Sequence, residues 1–269
     1  MTDTWRFIDS GICGAAYNMA IDEAIAVSVR KEIMPPTLRI YGWDTLAVSI
    51  GYFQKSGEID VEYCSGKNIP IVRRATGGRA ILHGEGVTYS FSVKTISGPF
   101  SKGLIDSYKK ISTALISSLS KIGLSAEIAM NRKNPRSLQA IDRKINPLCF
   151  NSVSYCEITV NDTKIIGSAQ KRWTDGLLQQ GTIPFSVDKK ETIRIFGIDN
   201  TPDLSRSLIG LRDLFPAIKT DKVKNSIRNS FEEIFNIKLI LSYPSEQEIE
   251  LARELEVRKY MSDEWNFRR

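Results

Sequence analysis

One segment of the chain combines residues that suit the binding of an extended apolar ligand. Two adjacent glycines, Gly77 and Gly78, follow a short β-type run and stand between an arginine pair and the only histidine, His83. Glycine permits positive φ and lets a ligand approach the main chain closely. Short glycine motifs are also common in ordinary hairpins, so on the glycines alone a plain turn is the simpler interpretation.

Four cysteines are the other reactive side chains: Cys13, Cys64, Cys149 and Cys156. They lack the CxxC spacing of a zinc site and only one histidine could assist them, so no metal site is predicted. Cys156 alternates with Ile158 and Val160, which is typical of a core strand. Most free cysteines pack as small buried hydrophobes, and that is the default interpretation for all four.

The elements that must position these residues follow from the apolar periodicity. Helices are predicted over 15–30 and 101–122, with Asp22 and Glu23 on a face away from the alanine stripe of the first. Short strands are predicted over 38–41, 46–50, 69–74 and 87–93, and again over 155–160, 164–169 and 177–185. Helical stripes return at 221–235 and 245–259. The pattern indicates an α+β fold, a mostly antiparallel or mixed sheet flanked by helices.

The 269 residues suit a single domain, 1–269, with a helical portion from about 201–269. The net charge of +6 favours anionic partners. No run of five basic residues is present, which weakens a nucleic-acid interpretation. Neither a signal peptide nor an apolar run of membrane-spanning length is recognised, so a cytoplasmic protein that does not bind membranes is expected.

A basic segment, 131–147, has prolines near both ends and reads as a long exposed loop, a type that is often functional. Its five basic residues are Arg132, Lys133, Arg136, Arg143 and Lys144.

The whole string Arg73-Arg74-Ala75-Thr76-Gly77-Gly78-Arg79-Ala80-Ile81-Leu82-His83 resembles the RRxTGGxxxxH signature of the lipoate/octanoate transferase superfamily. Further blocks resemble the family in the same order: 18–24, 38–43, 49–54, 164–170 and 259–265. The resemblance runs from about residue 5 to the C-terminus. It implies the fold of the biotin–lipoate protein ligases, which is related to class II aminoacyl-tRNA synthetases.

Two chemistries compete within this superfamily. A lipoate-protein ligase activates a free acid with ATP, whereas an octanoyltransferase takes a thioester from acyl carrier protein and needs no cofactor. The pair Cys149-Phe150 resembles the loop of the LipM-type octanoyltransferases, in which this cysteine is the nucleophile. Ligases usually have a third glycine where Arg79 stands and an aspartate where Gly84 stands. The resemblance therefore favours a transferase.

The resemblance implies a two-step acyl transfer with Cys149 and Lys164 as catalytic residues. A thiol ordinarily titrates near pKa ~8.5, so a nearby cation would help to expose the thiolate and would stabilise the oxyanion. Substrate-binding roles are implied for eight residues: Arg73, Thr76, Gly77, Gly78, His83, Gly167, Ser168 and Ala169. His83 suits the pocket wall and proton transfer equally well.

The resemblance also implies two partners, octanoyl-acyl carrier protein as donor and a lipoyl-domain protein such as glycine cleavage H protein as acceptor. Both partners are typically acidic, and the basic 131–147 loop would steer them. A monomer is expected. Three alternatives stay open: an ATP-dependent ligase, a lipoyl amidotransferase, and a protein that binds lipoate or nucleic acid without catalysis. The preferred acceptor and the general base are not determined by the sequence.

Overall fold

The computed structural model describes residues 3–129, 157–199, 201 and 208–269. The strands are β1 (Asp3–Cys13), β2 (Thr37–Trp43), β3 (Ala47–Ile50), β4 (Ile71–Arg73), β5 (Ile81–His83), β6 (Gly86–Lys94), β7 (Glu127–Ala129), β8 (Glu157–Val160), β9 (Thr163–Arg172), β10 (Gly176–Pro184) and β11 (Ile237–Leu241). The α-helices are α1 (Ala15–Arg30), α2 (Val61–Gly66), α3 (Leu104–Lys121), α4 (Lys189–Phe196), α5 (Leu211–Leu214), α6 (Thr220–Phe235), α7 (Glu246–Leu255) and α8 (Asp263–Asn266).

The large sheet has the strand order β11-β1-β2-β6-β10-β9-β8-β7. β1 pairs in parallel with both β11 and β2, and the remaining neighbours pair antiparallel. A small sheet, β4-β3-β5, carries the start and the end of the glycine segment. The prediction of an α+β fold with a mostly antiparallel, mixed sheet flanked by helices is confirmed.

Local sequence explains where the long helices begin and end. α3 begins after Gly103, whose φ is +118°, and is followed by Gly123 with φ +95°, as the apolar stripe and terminal glycine predict. It packs with α6 over one face of the large sheet, around a cluster of phenylalanines that includes Phe91 and Phe231.

Helix α1 differs from its predicted pattern because it is buried on several sides. It lies against the large sheet and also against α7 and a π-helical turn, Glu256–Tyr260. Ala20 and Ala24 are fully buried and allow the close approach. Asp22, predicted on a face away from the alanine stripe, is also fully buried. That face is not in solvent because the helix is packed on more than one side.

The C-terminal portion is helical apart from β11, a strand that the periodicity did not indicate. β11 extends the sheet beside β1. The predicted helix 245–259 is divided into α7 and the π-helical turn. Of the helices in the described ranges, none has the length and apolar character needed to cross a bilayer.

Candidate active site

A cleft crosses four adjacent strands of the large sheet, β2, β6, β10 and β9. Its floor is formed by Tyr41, Trp43, Thr88, Gln180, Gly181, Thr182, Gly167, Ser168 and Ala169. The small sheet covers it with Ser49, Arg74, Ile81 and His83. With strands about 4.8 Å apart, three intervals give a floor about 14 Å long. The cleft therefore suits an extended chain lying across the strands.

The two ends of this cleft differ in exposure. At the β2 end Trp43 is 8% exposed and His83 is 5% exposed. Their rings stack with centroids 3.9 Å apart and planes at 16°. At the β9 end Ser168 and Ala169 are half-buried and Gly78 is exposed. The cleft is thus closed at β2 and open at β9.

Glycine is required at Gly78, within the segment, and at Gly51, which lies against the segment. Gly78 has φ +84°, and a Cβ there would come within 3.4 Å of the Ala169 Cβ. A Cβ on Gly51 would stand only 1.8 Å from the Gly78 carbonyl oxygen. The backbone of the segment therefore packs directly on Gly51, and no side chain fits between them.

Arg74 holds the glycine segment over the cleft. Its Nη2 donates to the carbonyls of Gly77 at 2.8 Å and Arg79 at 2.7 Å. Its Nη1 donates to both the carbonyl and the hydroxyl oxygen of Ser49, each at 2.9 Å. One buried guanidinium thus joins the segment to strand β3.

The same contacts surround His83. The Ser49 hydroxyl, which accepts from Arg74, lies 2.7 Å from His83 Nε2, and the donor of this hydrogen bond depends on the tautomer of the ring. The other ring nitrogen, Nδ1, has no hydrogen-bond partner among the described residues. Burial, and secondarily the charge of Arg74, hold the pKa of His83 well below its ordinary value. His83 is therefore a neutral ring in the wall of the cleft.

Thr76 is tied to the floor through a buried polar network. Its hydroxyl donates to Gln180 Oε1 at 2.9 Å, and Gln180 Nε2 donates to Asp22 at 2.7 Å. Asp22 also accepts from Arg39 at 2.8 Å and Tyr41 at 2.9 Å. The buried carboxylate of α1 thereby connects two strands of the floor to the glycine segment.

Arg73 points away from the cleft. It is fully buried and donates to the carbonyls of Gly51 at 2.8 Å and Gln54 at 2.6 Å. It also donates to the carbonyl of Asn266 at 2.9 Å, and its own amide donates to the Asn266 side chain at 2.8 Å. Arg73 and Arg74 are adjacent in sequence but serve opposite sides, the C-terminal segment and the cleft.

Lys164 lies near the start of β9, three residues before Gly167. It is 2% exposed and forms a short ion pair with Glu157, which is 5% exposed. Gly167, Ser168, Ala169 and His83 lie together in the lining of the cleft. Lys164 is on the same strand as the first three, β9, but does not line the cleft.

Cys149, Cys156 and the basic 131–147 segment lie outside the described residues. Cys13 is half-buried and Cys64 is buried. Burial raises the pKa of both thiols, that of Cys64 to about 11. Neither is suited to act as a thiolate. Within the described ranges, no cluster of metal-ligating side chains is found.

Sequence reasoning missed several side chains that shape the cleft: Tyr41, Trp43, Ser49, Arg74, Gln180 and Thr182. Tyr41, Trp43, Ser49 and Arg74 belong to segments that carried the resemblance, so those motifs were the available signal. Gln180 and Thr182 follow an ordinary strand pattern and gave no signal of their own.

The chain is similar to lipoate-modifying proteins over almost its whole length. Residues 14–232 match the family described as lipoyl protein ligase A/B catalytic domain. A protein of Kyrpidia tusciae named octanoyltransferase LipM is 36% identical over 275 residues, which covers 99% of each chain. The octanoyltransferase LipM of Bacillus subtilis is 32% identical over 284 residues, again 99% of each chain.

Two solved structures show the same fold. A lipoate-protein ligase A bound with ATP has a TM-score of 0.81 at 24% identity, covering 98% of each chain. Ta0514, a putative lipoate protein ligase from T. acidophilum, also has a TM-score of 0.81 at 24% identity, covering 99% of this chain and 100% of that one.

Proposed function

The chain belongs to the lipoyl protein ligase A/B catalytic domain family, and we propose that it is an octanoyltransferase of lipoate biosynthesis. It moves octanoate from octanoyl-acyl carrier protein to a lysine of a lipoyl domain, such as that of glycine cleavage H protein. The observation that carries this proposal is the cleft: it crosses four strands, is closed at β2 and opens at β9. Relatives that cover 99% of the chain and are named octanoyltransferases support it.

A transferase is favoured over an ATP-dependent ligase by the same relatives and by the glycine segment. Arg79 occupies the position where ligases usually have a third glycine, and its carbonyl is fixed by Arg74. An acyl thioester is already activated, so the proposed reaction uses no nucleotide and no cofactor. The similarity to the ATP-bound ligase supports the fold only.

The first chemical step is assigned to Cys149. Its thiolate attacks the carbonyl carbon of the octanoyl thioester, and the resulting tetrahedral intermediate collapses with release of the carrier thiolate. A thioester on Cys149 remains. Lys164, whose ammonium is oriented by Glu157 beside the open strand β9, stabilises the oxyanion.

The second step transfers the acyl group to an amine. The neutral ε-amine of the acceptor lysine attacks the Cys149 thioester, the Cys149 thiolate leaves, and the amine loses a proton as the amide forms. A positive Lys164 near the amine favours its neutral form. The departing thiolate can take up the proton, so no separate base is required.

The remaining residues bind the acyl chain. Gly77 and Gly78 let it pass under the main chain, while Gly167, Ser168 and Ala169 form the floor at the open end. Thr76 acts through Gln180, and His83 forms the wall at the closed end. Arg73 supports the segment from its other side. That the chain is a single domain, that it is a monomer and that it is located in the cytoplasm remain predictions.

Intact-mass analysis after mixing with octanoyl-acyl carrier protein tests the proposal. We expect one octanoyl group on the protein, removed by hydroxylamine and absent in Cys149→Ser, together with loss of transfer to the lipoyl domain. Cys64→Ser is the matched control and should acylate normally. Undiminished transfer by Cys149→Ser would refute the mechanism, and formation of an adenylate from free lipoate and ATP would favour a ligase.

A donor competition separates the transferase from an amidotransferase. Octanoyl-H protein and octanoyl-acyl carrier protein are supplied together, and we expect the carrier to be used first. Preferential use of the octanoylated H protein would favour the amidotransferase.

A further inference from the structure

A cationic and aromatic surface borders the open end of the cleft. Lys171 follows Ala169 by two residues on β9, so both side chains lie on the same face of the strand. Its Nζ is 4.9 Å from the centroid of the Tyr52 ring. The Tyr52 amide donates to the Thr76 carbonyl at 2.9 Å, which connects this surface to the glycine segment. We name the surface formed by Tyr52, Phe53, Lys171, Arg268 and Arg269 the mouth patch.

Lys171 and Arg268, two of the three cations of the mouth patch, lie against aromatic rings. Arg268 lies 3.9 Å above the Tyr52 ring and 4.0 Å above the Trp265 ring. In the described part of the chain, neither Lys171 nor Arg268 forms an ion pair with a carboxylate. The cations are instead held by rings and by carbonyls such as that of Tyr52, 3.0 Å from Arg268 Nη2.

Two neighbouring groups respond to this excess of positive charge. A hydrogen bond from Arg268, and then the charges of Arg268 and Lys171, lower the pKa of the Tyr52 phenol. Burial, followed by the charges of Arg268, Arg269 and Arg74, lowers the pKa of Arg73 to about 10. An incoming anion would therefore meet a favourable potential beside the cleft.

The patch also has the composition of a protein-binding surface. Phe53 is 67% exposed and packs edge-on against Tyr52 with centroids 4.7 Å apart. The Arg269 guanidinium lies 5.5 Å from the Phe53 ring. Aromatic and arginine side chains are enriched at protein interfaces, where they act as anchors. An exposed phenylalanine between cations suits an acidic partner with some apolar surface.

We propose that the mouth patch docks an acidic acyl-carrier protein, the donor of the octanoyl thioester, an inference that rests on the proposed function. Both partners are acidic, but the group that each brings to this opening differs. The acceptor presents the side chain of a lysine, whereas the carrier presents an anionic phosphopantetheine arm, so the donor fits the cations better. Docking beside Gly78 and Ala169 places that arm at the open end of the cleft.

Lys171→Glu tests the proposal through a comparison of donors. Charge reversal should raise KM for the octanoyl carrier about fivefold to tenfold, since it replaces one attraction by a repulsion. It should also flatten the dependence of kcat/KM on ionic strength. The change in log KM for the carrier in Lys171→Gln should be about half of that in Lys171→Glu. KM for octanoyl-pantetheine, which has neither protein nor phosphate, should not change.

Lys238→Glu is the matched control. Lys238 is an exposed strand lysine on β11, separated from β9 by four strands, and its reversal should leave KM for the carrier unchanged. Thermal unfolding of all variants verifies that they fold.

Three outcomes would overturn the docking proposal: an unchanged KM for the carrier in Lys171→Glu, an equal increase in Lys238→Glu, or an equal increase for octanoyl-phosphopantetheine alone. The last would mean that the patch binds the phosphate of the arm rather than the protein. A wild-type protein that transfers octanoate from none of these thioesters would instead refute the proposed function. The two failures are therefore distinguishable.

Discussion

The two ends of the cleft differ in burial and in charge, and each suits a different part of the substrate. The closed end is buried and fixed by hydrogen bonds: the neutral ring of His83 stacks on Trp43, which donates to Thr88 at 2.9 Å. The open end is exposed, glycine-rich and bordered by the cation Lys171, while Lys164 is buried nearby in an ion pair with Glu157. A rigid apolar wall suits the end of an acyl chain, whereas an electropositive opening suits thioesters and anionic carriers.

This difference separates selection of the acyl chain from recognition of the protein that brings it. Arg74 is the one residue described above that contacts both regions, since one of its nitrogens bonds Ser49 and the other bonds Gly77 and Arg79. Changes at Arg74 should therefore affect both ends, and changes elsewhere should affect one.

The largest effect is expected for Arg74→Met, which breaks the connection between the two ends. It leaves several buried carbonyl groups without a donor, so we expect a loss of about 2–4 kcal/mol in the free energy of unfolding. Displacement of the glycine segment should lower kcat/KM for octanoyl transfer about a hundredfold. Denaturant titration and steady-state kinetics measure the two effects.

Arg74→Lys is the control for charge. A lysine keeps the charge but lacks the planar set of donors, so it should recover only a small part of the activity. Full recovery would show that the charge, and not the four hydrogen bonds, is what matters.

An intermediate effect is expected for Trp43→Ala, which opens the closed end. Trp43 also lines a neighbouring hollow formed by Gly42, Leu46 and Gly84, so its removal joins the two spaces. Each buried methylene is worth about fourfold in binding, so kcat/KM for decanoyl relative to octanoyl donors should rise about tenfold. The half-buried Trp173 provides the matched variant, Trp173→Ala, and an equal rise there would contradict the assignment of the closed end.

The smallest effect is expected for the pH dependence of stability in His83→Gln. The folded-state pKa of His83 is depressed, so the unfolded chain takes up the proton first as pH falls below about 6.5. Between pH 7.5 and pH 5.5, the free energy of unfolding of the wild type should therefore fall by about 1.4 kcal/mol more than that of the variant. Between pH 7.5 and pH 8.5 the two proteins should change equally. His83 is the only histidine, which makes the comparison clean. Equal losses in both proteins would contradict a neutral, buried ring.

The sequence predicted most of the sheet and the segment that roofs the cleft, because alternation, turn residues and glycines are local signals. It did not show that Arg73 bonds the C-terminal segment whereas Arg74 lines the cleft. Those directions depend on contacts with Asn266 and Ser49, which are remote in the chain. The sequence also gave no indication that Asp22 is buried. A buried carboxylate is stable only with partners, and Arg39 and Tyr41 come from β2 whereas Gln180 comes from β10.

For Lys164, one of the two predicted catalytic residues, the sequence motif likewise did not reveal its surroundings. Lys164 was selected from a motif, and the structure adds its burial and its partner Glu157, neither of which the motif contains. β11 was missed because a short strand after a strongly amphipathic helix has no periodicity long enough to separate it from that helix.

The Arg73 contacts also bear on when the protein becomes competent during its synthesis. Arg73 and Asn266 are 193 positions apart, and contacts so distant in sequence form late because a long loop must close first. A chain emerging from the ribosome contains every cleft residue described above before α8 has been made. We therefore expect a chain that ends before α8 to lack the support that Asn266 gives to Arg73, so that the glycine segment over the cleft is fixed only once α8 is present.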